Sequence, residues 1–156
     1  MVARVEIRCA TPEDAADIAT VLYESFAEFR ALYIEGGFAA TTPKAEQICD
    51  RMAEGPVWVA LHEGAAVGTV SAVVKGESVY VRGMAVLPAA RGTGAGSELL
   101  KQVEEWADGK GCTRLFLSTT PFLAAAIRLY EKAGFRRIVE VRTICMRRRY
   151  LPWRKR

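Results

Sequence analysis

The chain has 156 residues, 51% hydrophobic and 26% charged, which is the composition of a soluble globular domain large enough to bury a core without disulfides. No uncharged run approaches the roughly 20 apolar residues of a membrane helix, and "MVARVEIRCA" lacks the apolar stretch of a secretory leader. The net charge of +4 is unevenly placed: residues 142–156 hold seven basic side chains and no acidic ones, against 15 basic and 18 acidic before them.

A single domain over residues 1–156 follows, its last part (142–156) a basic strand and tail. The tail "RRRYLPWRKR" reads as a solvated edge strand and terminus, not a nucleic-acid surface, because few aromatics interleave the charges. Cys9, Cys49, Cys112 and Cys145 have neither CxxC spacing nor histidine companions. They read as reduced, mostly buried thiols of a cytoplasmic protein, with no metal site.

From the N-terminus, "RVEIRC" alternates apolar and polar residues and predicts a strand. Thr11, Pro12 and Asp14 open a helix. Its apolar stripe is Ala15, Ile18, Leu22, Phe26 and Phe29, and it runs to about Tyr33, where "EGGFAATT" breaks it. Thr42 and Pro43 start a second helix that ends near Gly55. "VWVALH", "AAVGTVSAVV" and "SVYVRGMAVL" predict three antiparallel strands, joined by turns at Glu63-Gly64 and Gly76. Residues 97–110 form a third helix with Leu99, Leu100, Val103 and Trp106 on one face. "TRLFLST" is a strand, residues 121–133 a fourth helix, and "FRRIVEVR" and "TICMRRRY" two closing strands. The order implies a mixed α/β fold: a central, mostly antiparallel sheet of about seven strands with four helices on both faces.

The chemistry concentrates in "LPAARGTGAGSELL", where Arg91 and the glycines 92, 94 and 96 precede a helix. Glycine in a helix's first turn costs about 0.5–1 kcal/mol relative to alanine, so something must need the exposed backbone. A dinucleotide fingerprint fails because Ser97 stands at its third glycine, and a P-loop fails for want of Gly-Lys-Ser/Thr. A diphosphate cradle fits: a helix's first amides are unpaired, its dipole is positive there, and Arg91 adds a permanent cation.

Arg91-x-x-Gly94-x-Gly96, after a strand ending in "MAVLP", resembles the acyl-CoA loop of the GNAT superfamily of N-acetyltransferases. "AIRLYEKAGF", about 35 residues later, is similar to that family's tyrosine-bearing helix, and the order of elements matches over nearly the whole chain. The resemblance implies a GNAT-like fold and an enzyme that moves an acetyl group from acetyl-CoA to an amine within a ternary complex. It places the cofactor in a V-shaped opening between the fourth and fifth strands, with a bulge suited to Gly83. Ala85 and Val86 would bind the pantetheine arm through their main chain. Arg91, Gly92, Thr93, Gly94, Ala95, Gly96 and Ser97 would hold the diphosphate, and Tyr130 would hydrogen-bond or protonate the departing thiolate. Leu123 stands where the family often has an asparagine that helps bind the cofactor.

Many relatives carry a glutamate base on the fourth strand, where this chain has Arg82 flanked by Tyr80, and arginine cannot accept a proton. Glu28, Glu24, Glu77 and His62 remain, and Glu28, beside "ALYIEGG", is the candidate base, with water as the substitute. Arg82, Tyr80 and Tyr33 are the candidate acceptor-binding residues, and Arg82 suits the carboxylate of an amino-acid-like acceptor. Tyr23, Phe26 and Phe38 are candidates to wall the same pocket, with Phe26 read first as a core residue. The expected partner is a small amine, with neither nucleic acid nor membrane, and a homodimer on family analogy. A catalytically silent acyl-CoA-binding module and a protein N-terminal acetyltransferase are the competing readings.

Overall fold

Seven strands account for the period-two stretches of the sequence in the computed structural model, which describes residues 4–34, 36–138 and 144–149. They are β1 (Val5–Cys9), β2 (Val57–His62), β3 (Ala65–Lys75), β4 (Ser78–Val86), β5 (Arg114–Thr119), β6 (Arg136–Ile138) and β7 (Ile144–Arg149). They form one sheet in the order β1-β2-β3-β4-β5-β7-β6, antiparallel throughout except for the parallel pair β4–β5. The β2–β3 turn places Glu63 and Gly64 at φ 51° and 82°, the left-handed pair that matches the twist of a tight hairpin.

Five α-helices occur among the described residues: α1 (Ala15–Phe26), α2 (Gly37–Thr41), α3 (Ala45–Glu54), α4 (Ala95–Gly109) and α5 (Ala124–Lys132). On one face, Leu99, Leu100, Val103 and Ala107 of α4 bury against Trp58, Val70, Val79, Val81 and Leu115. On the other, Ala15, Ile18, Val21 and Leu22 of α1, with Ile48 of α3, bury against Val57, Val59 and Ala85. Removing a large side chain from either layer costs about 2–5 kcal/mol. At the start of α1 the Asp14 carboxylate accepts the Thr11 amide at 2.8 Å and the Arg8 guanidinium at 2.7 and 2.9 Å. The Arg8 hydrogen bond comes first among the causes that lower the pKa of Asp14 to about 2. Its contribution to stability is therefore complete above about pH 4 and lost as pH falls toward 2.

Three expectations change. The segment "EGGFAATT" does not simply break the first helix. A 3-10 stretch continues α1 through residues 27–32, and α2 then starts on Gly36 at φ 82°, a fifth helix. The last strand is not at an edge: β7 returns antiparallel between β5 and β6, so β1 and β6 are the edges among the described residues. Cys9 is exposed and Cys49 half-buried, so of the three cysteines whose side chains are described only Cys112 is buried. Cys145 has no described side chain, and residues 142, 143 and 150–156 of the basic tail lie outside the described residues. Among the described residues no helix is long and apolar enough to cross a membrane.

Gly55, which ends α3, is extended at φ 172°, yet a β-carbon there would collide with the Ala72 carbonyl. Strand β3 passes directly over this corner, where the Ala72 amide donates to the Pro56 carbonyl at 3.1 Å. Gly55→Ala is therefore expected to destabilise the fold by about 2 kcal/mol or more, because backbone must move to admit one methyl. Urea titration with an unchanged m value would confirm it, and a loss under about 0.5 kcal/mol would refute the close contact.

Candidate active site

Strands β4 and β5 pair only at Ser78–Arg114, Val79–Leu115 and Tyr80–Phe116. Beyond Tyr80 they separate: β5 stays paired to β7 along its whole length, while residues 81–86 of β4 present an unpaired edge. A β-bulge accompanies the parting. Thr69 faces Ala85 and Ser71 faces Arg82, so Gly83 and Met84 stand opposite Val70 alone, with Gly83 at φ 62°. An extra residue bends the bulged strand and increases its twist. The wedge opens a cleft of about 360 Å³.

One end of the cleft is the start of α4. A turn at Pro88–Ala90 leads to Gly92 and Gly94 at φ 85° and 88°, with open space where their side chains would be. Glu98 makes the first helical hydrogen bond, to the Gly94 carbonyl at 3.0 Å, which leaves the Gly96 and Ser97 amides without an intrahelical acceptor. Gly92, Gly94, Ala95, Gly96 and Ser97 all line the cleft. Gly96 has a different reason to be glycine: a β-carbon there would lie 2.8 Å from Leu129 Cδ2, so it lets α4 approach α5. Thr93 does not line the cleft; its hydroxyl donates to the Ala90 carbonyl at 2.6 Å and braces the loop. Arg91 lines the mouth, where its guanidinium meets Glu28 at 3.1 Å.

At the other end Tyr130, only 5% exposed, projects from α5 beside Ala126, Leu129 and Leu123. Burial pushes its pKa well above the ordinary tyrosine value, so the hydroxyl stays protonated and donates a hydrogen bond more readily than it gives up a proton. Met84, Ala85 and Val86 supply the strand wall, and Ser25, Phe26 and Phe29 close the cleft from the first helical segment. Three features fit an acyl-CoA: unpaired amides at a positive helix end for its diphosphate, a free strand edge for its amide-bearing arm, and a phenol donor suited to a thioester sulfur. Acetyl-CoA supplies the acetyl thioester.

The other sequence candidates are not among the residues that line this cleft. Glu28 is half exposed and ion-paired to Arg91, and neither it nor any other acidic or histidine side chain is among the described residues that line the cleft. Glu24 and Glu77 are exposed, and His62 sits at the end of β2. Tyr80 stacks on Phe116 at 5.1 Å, and Arg82 pairs with Glu54 of α3 at 2.9 Å. Tyr33 joins an aromatic cluster, its ring 4.8 Å from Phe122 and 5.9 Å from Phe38, with Tyr23 at 5.8 Å from Phe38. Burial raises the pKa of Tyr33, while the Thr41 and Thr120 hydroxyls pull it the other way. Sequence reasoning missed Ser25, Met84 and Leu129. Phe29 was legible only as a stripe residue, and it both lines the cleft and touches Phe122 at 5.9 Å.

Residues 20–135 match the acetyltransferase (GNAT) family. The chain is 32% identical over 138 residues to YjgM of Escherichia coli K12, an uncharacterised N-acetyltransferase, covering 85% of this chain and 82% of that protein. It is 36% identical over 73 residues to an aminoglycoside N(6')-acetyltransferase type 1 of Klebsiella aerogenes, a match spanning 47% of each chain. The fold is similar to that of PaiA N-acetyltransferase from Thermoplasma acidophilum, solved in complex with coenzyme A: TM-score 0.83, 17% identity, 94% of this chain and 99% of that one. The loop, the parted strands and these relationships agree: the chain belongs to the GNAT acetyltransferase family and is an acetyl-CoA-dependent N-acetyltransferase.

Proposed function

We propose that the enzyme acetylates a small amine by direct attack within a ternary complex, without a covalent enzyme intermediate. The observation that carries this is the continuous cleft from the unpaired amides of α4 to Tyr130, flanked by the free edge of β4. In this reading Gly92 to Ser97 and Arg91 bind the diphosphate, with Thr93 acting as the brace of the loop. The main chain of Ala85 and Val86 binds the pantetheine arm, and the Tyr130 hydroxyl donates to the sulfur as negative charge develops there. Leu123, at the N-cap of α5, offers only an apolar wall where a polar contact is common in the family.

With no acidic or histidine side chain among the described residues that line the cleft, proton removal in this reading falls to the acceptor's own equilibrium and to water. The neutral fraction of an amine rises tenfold per pH unit below its pKa, which is about 7.7–8.0 for α-amines and about 10.4 for lysine-like ones. A thiol-release assay over an amine panel tests the reading. Log(kcat/KM) should climb with unit slope toward the acceptor's pKa, without an enzyme inflection near pH 6–7. Glu28→Gln should keep kcat within about threefold and tighten acetyl-CoA binding by at most about fivefold, since an exposed ion pair is worth about 0.2–1 kcal/mol. A loss of a hundredfold or more in Glu28→Gln would instead make Glu28 the base. Tight CoA binding with no turnover on any amine would favour a silent binding module.

A further inference from the structure

Two arginines meet at the β4 bulge with too little negative charge between them. Arg82 Nη2 pairs with Glu54 Oε2 at 2.9 Å, its side chain 21% exposed and that of Glu54 50% exposed. Arg82 Nε is buried and has no hydrogen-bond partner. Arg51, one turn before Glu54 on α3, lies against the same bulge: its Nη1 is 2.8 Å from where a Gly83 β-carbon would stand. Among the described residues no ion pair or hydrogen bond engages the Arg51 side chain, and Arg51 is not fully exposed. Burial, and then the charge of Arg82, weaken the hold of Arg51 on its proton. Two guanidinium groups thus share one half-exposed carboxylate, although a partly desolvated cation is costly unless an anion faces it. Gly83 serves both features, taking the left-handed bulge conformation and leaving room for the guanidinium.

The position matters as much as the charge. Arg82 lies on the unpaired edge of β4, beyond the last β4–β5 pair at Tyr80 and two residues before Met84, which lines the cleft. A guanidinium offers two parallel donors that match a carboxylate's two oxygens.

We propose that Arg51 and Arg82 form a carboxylate-recognition pair at the β4 bulge, so that the acceptor is an amine that also carries an acid group. This rests on the transferase reading above and adds the acceptor's class to it. Binding leaves every covalent bond of the acceptor intact; the acid takes the donors that Glu54 leaves unmet or shares.

The test compares matched acceptors at equal concentrations of neutral amine: glycine with glycinamide, phenylalanine with phenylalaninamide, β-alanine with β-alaninamide, and spermidine as an acid-free polyamine. The acid-bearing member of at least one pair should be preferred in kcat/KM by about tenfold or more, the scale of a hydrogen bond to a charged group. Arg51→Gln and Arg82→Gln should each bring that ratio toward one, Arg51→Lys should retain part of it, and Lys75→Gln, a charge control at the exposed end of β3, should not move it. A wild-type ratio near one, a preference for spermidine, or a ratio that survives Arg51→Gln overturns the pair and leaves the transferase reading standing. CoA binding without turnover on any acceptor overturns the transferase reading, and this inference with it. A wild-type ratio near one overturns the pair even if one variant fails to fold, and the other variant then tests a high ratio.

Discussion

Tyr130→Phe is expected to lower kcat about 30-fold while changing the KM for acetyl-CoA little. The departing thiolate carries developing charge, and a hydrogen bond to a charged group contributes about 1.5–3 kcal/mol, with 1.36 kcal/mol per tenfold in rate. Full proton transfer from Tyr130 to the thiolate is uphill. A free tyrosine titrates at about 10 against about 8.5 for a thiol, and burial of Tyr130 lifts it further from the thiol. Phenylalanine keeps the ring that packs 5.8 Å from Phe135, so the effect should fall on turnover and not on the fold. Single-turnover kinetics with saturating acetyl-CoA measure it. An unchanged rate would make Tyr130 a core residue that happens to border the cleft.

Gly94→Val should weaken CoA binding by about a hundredfold or more, because it moves the amides that open α4 away from the diphosphate. Gly94 is the N-cap of α4 at φ 88°, a conformation that a β-branched residue resists. The strain by itself would also destabilise the protein, so the comparison is with Gly76→Val. Gly76 sits in the β3–β4 turn at φ 63°, equally open around its α-carbon and not among the residues that line the cleft. The two variants should lose similar stability, of order 1–3 kcal/mol, but only Gly94→Val should lose CoA. Calorimetric titration of both would show it. Equal losses of affinity would mean that the effect is general destabilisation.

The features legible in the sequence are those whose causes are local. The Glu63-Gly64 and Gly76 turns, the apolar stripe of α4 and the glycine run before it all follow from backbone preference and periodicity within about ten residues. What stayed hidden depends on contacts between distant segments. The insertion of β7 between β5 and β6 is a pairing decision that an apolar-polar alternation cannot express. Glu28 looks like a free carboxylate until the fold brings it to Arg91, 63 residues away. Arg82 could be placed on β4, but Arg51 and Glu54 could not be placed beside it, because nothing in "CDRMAEG" marks that face of α3. Gly96 shows the limit most clearly. Its spacing fits a phosphate loop, and its tightest neighbour is Leu129 of α5.

The role of the α4 amides is tested most directly by following their proton–nitrogen resonances during titration with CoA and, separately, with phosphate-free pantetheine. If the diphosphate sits on the helix start, the Gly94, Gly96 and Ser97 signals move strongly with CoA and hardly at all with pantetheine, while Ala85 and Val86 respond to both. Movement of the strand signals alone, with residues 94–97 silent to CoA, would contradict a diphosphate held by that helix.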